Sequence, residues 1–209
     1  KDYAYKCVDL VYNYNNTYGL DVFSTCVVQG NAFGGGFESA LSGNFILAEE
    51  SAKFSFPEVI FGTFPGMGAY SFLTKKVGYQ RAHEIINSNK TYDANELNEM
   101  AIIDKVCDDG HGLSTMSMLI KNNELDGIIN DPFHNICNKV TLEELTDVVN
   151  VWLDKAFTLS EDNLNRMTKL SNFQKRKIER DLIVEPTIEH EMKLVHAEKI
   201  ISESLKGDK

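Results

Sequence analysis

Apolar residues recur along the chain at two spacings. In residues 2–18, Tyr3, Cys7, Leu10, Val11 and Tyr14 fall three or four apart with Gly19 behind them, which predicts an amphipathic helix packed on the segment that follows. Thr25, Val27 and Val28 form a β-branched run, then Gly34, Gly35 and Gly36 make a tight loop, and Phe37 to Leu41 have helical character. Phe45–Ala48 and Lys53–Phe56 read as short strands, and Pro57 closes the second, so Glu58 is expected where a strand gives way to a loop. Ala69–Val77 and Gln80–Asn87 predict helices. Asp93 and Glu96 form a capping box for a third through Met100, and Ile102–Val106 reads as a strand end.

Past Asp108 the pattern changes. D-D-G-H-G is a loop, and from Leu113 onward the periodicity is almost entirely helical, with a break at Asp131–Pro132. Thr141 with Glu144 caps a helix, Ser160 caps another toward Leu182, and Pro186 opens a last one to Leu205. This divides the chain into an α/β core, residues 1–110, and an all-helical region, residues 111–209.

Composition narrows the function classes. The 209 residues are 43% hydrophobic, enough for a buried core, and carry a formal net charge of −10, which disfavours unspecific binding of nucleic acid or anionic membrane. Lys169, Lys175, Arg176, Lys177 and Arg180 gather positive charge, either as a docking patch for an acidic partner or as a solvated helix face balanced by nearby Glu. Cys7, Cys26, Cys107 and Cys137 are widely spaced without C-x-x-C or a His cluster, so neither a metal site nor a disulfide framework is expected. No membrane-spanning stretch or signal pattern is visible, and a cytoplasmic location is expected.

The candidate chemistry sits between Thr25 and Tyr70. A glycine turn opening a helix leaves backbone N–H groups without intrahelical acceptors at the positive end of a dipole, where a developing oxyanion can be held. Glu38 and Glu58 add two carboxyls, the number required to move one proton at a carbon and another at a departing hydroxyl. Alternatively, Glu38 is a first-turn helix acid and Glu58 a surface loop acid.

V-Q-G-N-A-F-G-G-G-F-E followed by F-S-F-P-E and F-P-G-M-G resembles the crotonase (enoyl-CoA hydratase/isomerase) superfamily. Within it, F-P-E-V-I-F and F-P-G-M-G-A-Y-S-F-L look like the synthases of diffusible signal factor (DSF), and the resemblance continues through T-L-E-E-L and V-W-L-D-K-A to about Lys177. It implies a crotonase-like ββα spiral core followed by an all-helical C-terminal region. It also implies that Gly35 is one oxyanion donor and that Glu38 and Glu58 are the catalytic carboxylates, Glu58 as base at Cα and Glu38 as acid at the hydroxyl. The second donor and much of the pantetheine site lie, in the superfamily, on an earlier strand, so the chain is expected to be N-terminally truncated relative to it.

The implied activity is dehydration and thioester hydrolysis of 3-hydroxyacyl carrier-protein thioesters, releasing cis-2-unsaturated fatty acid signals. Two alternatives stand beside it: a generic enoyl-CoA hydratase or isomerase, and a non-catalytic crotonase-fold binding protein. Phe64, Gly66, Met67, Gly68 and Trp152 are candidate substrate-binding residues, the first four on an apolar, glycine-punctuated segment and Trp152 on an amphipathic helix. The resemblance further implies no cofactor, a substrate carried by acyl carrier protein or coenzyme A, a homo-oligomer (trimer or hexamer), and regulation by a sensor kinase.

Overall fold

The computed structural model describes residues 1–183. Lys1–Ser160 form one compact unit, and the described residues from Glu161 on belong to a second. Helix α1 (Asp2–Asn15) leads through a 3-10 turn (Thr17–Gly19) to β1 (Thr25–Val28), β2 (Ala32–Phe33) and α2 (Gly35–Leu41). Next come β3 (Phe45–Glu49), β4 (Lys53–Ser55), a 3-10 turn (Pro57–Phe61), α3 (Ala69–Val77) and α4 (Tyr79–Asn87). Then β5 (Tyr92–Asp93), α5 (Ala94–Glu99) and β6 (Lys105–Cys107) complete the mixed part. Helices α6 (Gly112–Lys121), α7 (Asp126–Ile129), α8 (Pro132–Cys137) and α9 (Leu142–Ala156) follow, and α10 (Glu161–Ile183) belongs to the second unit. The helix expected over 186–205 lies outside the described residues.

The strands form two small sheets. One has the order β1-β3-β6, all parallel, with Thr25 opposite Phe45 and Glu49 opposite Cys107. The other is β2-β4-β5, parallel between β2 and β4 and antiparallel between β4 and β5. Central β3 is buried along its whole length, as a parallel strand covered on both faces must be. Its alternate residues serve two cores: Ile46 and Ala48 join the large cluster around α1, α2 and α3, while Phe45 and Leu47 pack with Met116, Leu119 and Leu125.

Sheet and helix are fastened together at Phe37. Its ring is fully buried, 5.0 Å from that of Phe54 and stacked 4.8 Å from that of Phe56, so the start of α2 is clamped onto the end of β4. The capping box expected at Asp93 is present, with Glu96 N donating to Asp93 and Asp93 N donating to Glu96. Thr141 Oγ1 likewise accepts from Glu144 N at the start of α9.

Three sequence expectations are corrected. Helix α1 is rotated from the expected stripe: Val11 is buried as expected, but Val8 is buried beside it with Ala4, Tyr5 and Tyr12 packed alongside, whereas Tyr3 is 81% and Leu10 55% exposed. The two candidate stripes differ by about one residue of rotation, roughly 100°, and packing against α9 selects the smaller side chains. The sixth strand is Lys105–Cys107, because Ile102 and Ile103 are turned into the core by backbone bonds to Leu97 O before the ladder begins. Just ahead of this strand, Asp104 accepts a 2.7 Å hydrogen bond from Ile46 N and pairs with Lys76 at 3.7 Å. Finally, α6 ends at Lys121, ahead of the proline, where Asn123 adopts a left-handed φ of 57°.

Candidate active site

The glycine turn works as a bracket. Gly34 caps α2 with φ 53° and ψ −124°, a conformation that glycine adopts without steric cost. Its N–H donates to Ser55 O (2.9 Å), continuing the β2–β4 ladder, and its carbonyl accepts from Glu38 N (3.0 Å), beginning the helix. The N–H groups of Gly35, Gly36 and Phe37 therefore have no intrahelical acceptor.

Glu38, one turn into α2, is 3% exposed. Its Oε1 accepts from Met67 N (2.7 Å) and Ala69 N (3.1 Å), so the glycine-punctuated segment ahead of α3 is wrapped around this carboxyl. Burial outweighs these donors and, with the nearby Glu58 charge adding to it, pushes the Glu38 carboxyl up to about 8.

Glu58 lies in the 3-10 turn after β4, where Pro57 starts the turn and Gly62, at φ 76°, ends it. Its carboxyl is also raised by burial, and its Oε2 is buried without a hydrogen-bond partner among the described residues. The nearest neighbour to the missing Cβ of Gly34 is Glu58 Oε1, so the bare glycine makes room for the second carboxyl.

Gly35, Glu38 and Glu58 line one cavity of about 200 Å³. Met67, Gly66, Val149 and Trp152 form its apolar side, and Tyr3, Ala4 and Cys7 of α1 complete the rim. No cationic side chain is among them, which is why burial governs both carboxyls. Two acids with raised affinity for protons, in a small apolar space beside a helix start, can hold one proton and accept another.

Of the sequence-predicted residues, Gly35, Glu38, Glu58, Gly66, Met67 and Trp152 are brought together here. Phe64 is not: its ring lies edge-on to Tyr70, 6.0 Å away, in a neighbouring hollow. Gly68 sits behind the wall as the cap of α3, at φ 127°, with its Cα face against Phe72 and Leu145. Sequence reasoning missed Tyr3, Ala4, Cys7 and Val149. Val149 was detectable one helical turn before Trp152; the α1 residues were not, because the Tyr3–Cys7 stripe was assigned to the core.

A larger hollow of about 430 Å³ lies at the opposite ends of the strands, beside Phe23, Asn44 and His134, and contains no acid pair. Among the described residues no group of three or more His, Cys, Asp or Glu is arranged to hold a metal ion, and no helix is long and apolar enough to cross a membrane.

The model of the enoyl-CoA hydratase/isomerase family matches residues 6–122, more than half of the chain. A mitochondrial enoyl-CoA hydratase of Pongo abelii is 38% identical over 80 residues, covering 38% of this chain and 28% of the relative. A mevalonyl-coenzyme A hydratase of Beauveria bassiana is 37% identical over 83 residues, covering 40% and 30%. Such matches span about three tenths of the length of these curated relatives. The fold is shared with the crystal structure of an enoyl-CoA hydratase from Mycobacterium avium subsp. paratuberculosis K-10, at a TM-score of 0.64 and 24% identity over 79% of this chain and 69% of that one.

Proposed function

The chain belongs to the enoyl-CoA hydratase/isomerase family, and from that premise we propose that it interconverts 2-enoyl and 3-hydroxyacyl thioesters of coenzyme A. The observation that carries this reading is the pairing of Glu38 and Glu58 in one cation-free cavity edged by Gly35. In the dehydration direction, the Glu58 carboxylate takes the Cα proton while the thioester oxygen, gaining enolate charge, accepts from the Gly35 N–H. The protonated Glu38 gives its proton to the departing hydroxyl, which leaves as water and leaves Glu38 ionised. Proton exchange between the carboxyls through water restores the start, and hydration runs the same steps backwards. A Glu38 carboxyl at about 8 is suited to the acid role at neutral pH. Gly66, Met67 and Trp152 are the proposed contacts for the acyl group, with Phe64 and Gly68 supporting them from behind.

A second reading retains the carrier-protein dehydratase and thioesterase that makes cis-2-enoic acids, with a glutamate activating water against the thioester. It is favoured by F-P-G-M-G-A-Y-S, the run whose Met67 and Ala69 amides hold Glu38. In both readings residues 1–110 are the catalytic core and 111–209 the helical region for oligomerisation; restraint by a sensor kinase goes with the second reading alone.

The deciding experiment gives the protein crotonyl-CoA and, separately, a medium-chain 3-hydroxyacyl carrier-protein thioester, with product analysis by mass spectrometry. Reversible hydration of crotonyl-CoA, lost in Glu38→Gln and Glu58→Gln, supports the hydratase. Release of a free cis-2-enoic acid from the carrier protein establishes the second reading, and no turnover of either overturns both.

A further inference from the structure

The glutamate cavity is small. Its volume of about 200 Å³ falls below the ~300–1,000 Å³ usual for pockets that bury a drug-sized ligand. A second hollow, about 260 Å³, is lined by Phe64, Tyr70, Val148 and Val151, and so offers little but apolar surface. They share no lining residue but are built on the same two segments, α9 and residues 64–70. Neighbouring residues of α9 serve different hollows, Val149 and Trp152 facing the glutamates and Val148 and Val151 the other side; Gly66 and Met67 likewise face one, Phe64 and Tyr70 the other.

On the glutamate side the two segments meet where Trp152 covers Gly66. A Cβ on Gly66 would stand 2.5 Å from Trp152 Cγ and 2.7 Å from Cδ1, so the indole lies directly on bare backbone. No larger residue at position 66 lets it close there. The indole therefore stands in the wall of the glutamate cavity, on the helix whose Val148 and Val151 line the second hollow.

We propose that Trp152, seated on Gly66, is an acyl-length stop that restricts the site to short-chain thioesters by closing it off from the Phe64–Val151 hollow. The inference rests on the thioester reading above and adds to it the chain length. With the indole in place, further methylenes meet a packed wall, which resists overfilling. With the indole removed they enter apolar space, where each buried methylene is worth about fourfold in affinity.

The test is calorimetric binding of crotonyl-CoA and trans-2-decenoyl-CoA to the protein and to Trp152→Ala and Trp152→Leu, the second variant keeping an apolar contact for Val149. The shared coenzyme A portion cancels in the ratio. The parent protein is expected to prefer crotonyl-CoA by about tenfold or more, in line with the 10- to 200-fold limits on discrimination by size, and the variants to prefer decenoyl-CoA. Adding Val151→Trp to Trp152→Ala refills the hollow and is expected to restore the short-chain preference. Trp152 is the only tryptophan, so its emission also reports crotonyl-CoA reaching the wall. A parent protein that prefers the long chain, variants with an unchanged ratio, or failure of both ligands to bind overturns the stop. Length-dependent binding without turnover overturns the proposed reaction and leaves the stop standing.

Discussion

Gly34 and Glu58 occupy what would be the same space: a methyl group on the glycine would lie on the carboxylate oxygen. A turn residue and an acid from different sheet strands are thus mutually exclusive in size, and this decides what each position tolerates.

Gly34→Ala is expected to displace Glu58 and also to pay for a left-handed φ of 53°, a conformational cost of about 1–2 kcal/mol. Gly36→Ala, two residues on, meets open space inside the helix and is expected to be neutral or to stabilise by about 0.5–1 kcal/mol. Urea unfolding of the two variants, with crotonyl-CoA turnover beside it, checks this; equal effects at both positions would refute the crowding at Glu58.

Glu38→Gln retains an oxygen for the Met67 and Ala69 amides but cannot deliver a proton. We expect a folded variant with turnover lower by about 10²–10⁴-fold, the usual loss on removing a general acid or base, and a comparable loss for Glu58→Gln. Full activity in either variant would remove that residue from the reaction.

The raised Glu38 carboxyl also sets a sign for stability against pH. Its affinity for a proton is greater folded, at about 8, than at its ordinary 4.5, so the folded state holds the extra proton between these values. The associated stability is complete below about 4.5 and lost as pH rises through about 8. Glu38→Gln should therefore gain on the parent protein as pH increases across that window, measured as the difference in unfolding midpoints; a constant difference would mean that the carboxyl is not shifted. On the basic side, turnover should fall as Glu38 loses its proton.

Asp104→Ala removes the acceptor of the buried Ile46 N–H at the head of the central strand. A cost of about 1–3 kcal/mol is expected from the unsatisfied donor, while Lys76→Met, which removes only the ion pair, should cost no more than about 1 kcal/mol. Denaturant midpoints separate the two, and equal losses would assign the effect to the ion pair.

Most of the mixed core was legible because its signals are local. Three glycines after a β-branched run define the start of α2, Pro57 defines the turn that carries Glu58, and Asp93 with Glu96 defines α5. The pairs β2–β4 and β4–β5 were harder to see, since β2 and β5 are two residues long and exist only through partners distant in sequence. The face of α1 was misread in part for a related reason: Tyr3 and Leu10 extend the stripe through Val11 as well as Ala4 and Val8 do, and only the packing partners of the helix distinguish them. The Glu38 site followed the same rule. The acid was visible, but the amides of Met67 and Ala69 that hold it belong to no side-chain pattern.

Tyr5 Oη donates to Asn150 Oδ1 at 2.6 Å, holding α1 to α9, the helix whose Val149 and Trp152 line the glutamate cavity. During synthesis both sheets and both acids emerge before α9 does, and until it docks the wall formed by Val149 and Trp152 is missing. The apolar side of the site is thus completed late, by the docking of a helix far along the chain, and a nascent chain has its reactive groups before their surroundings are closed.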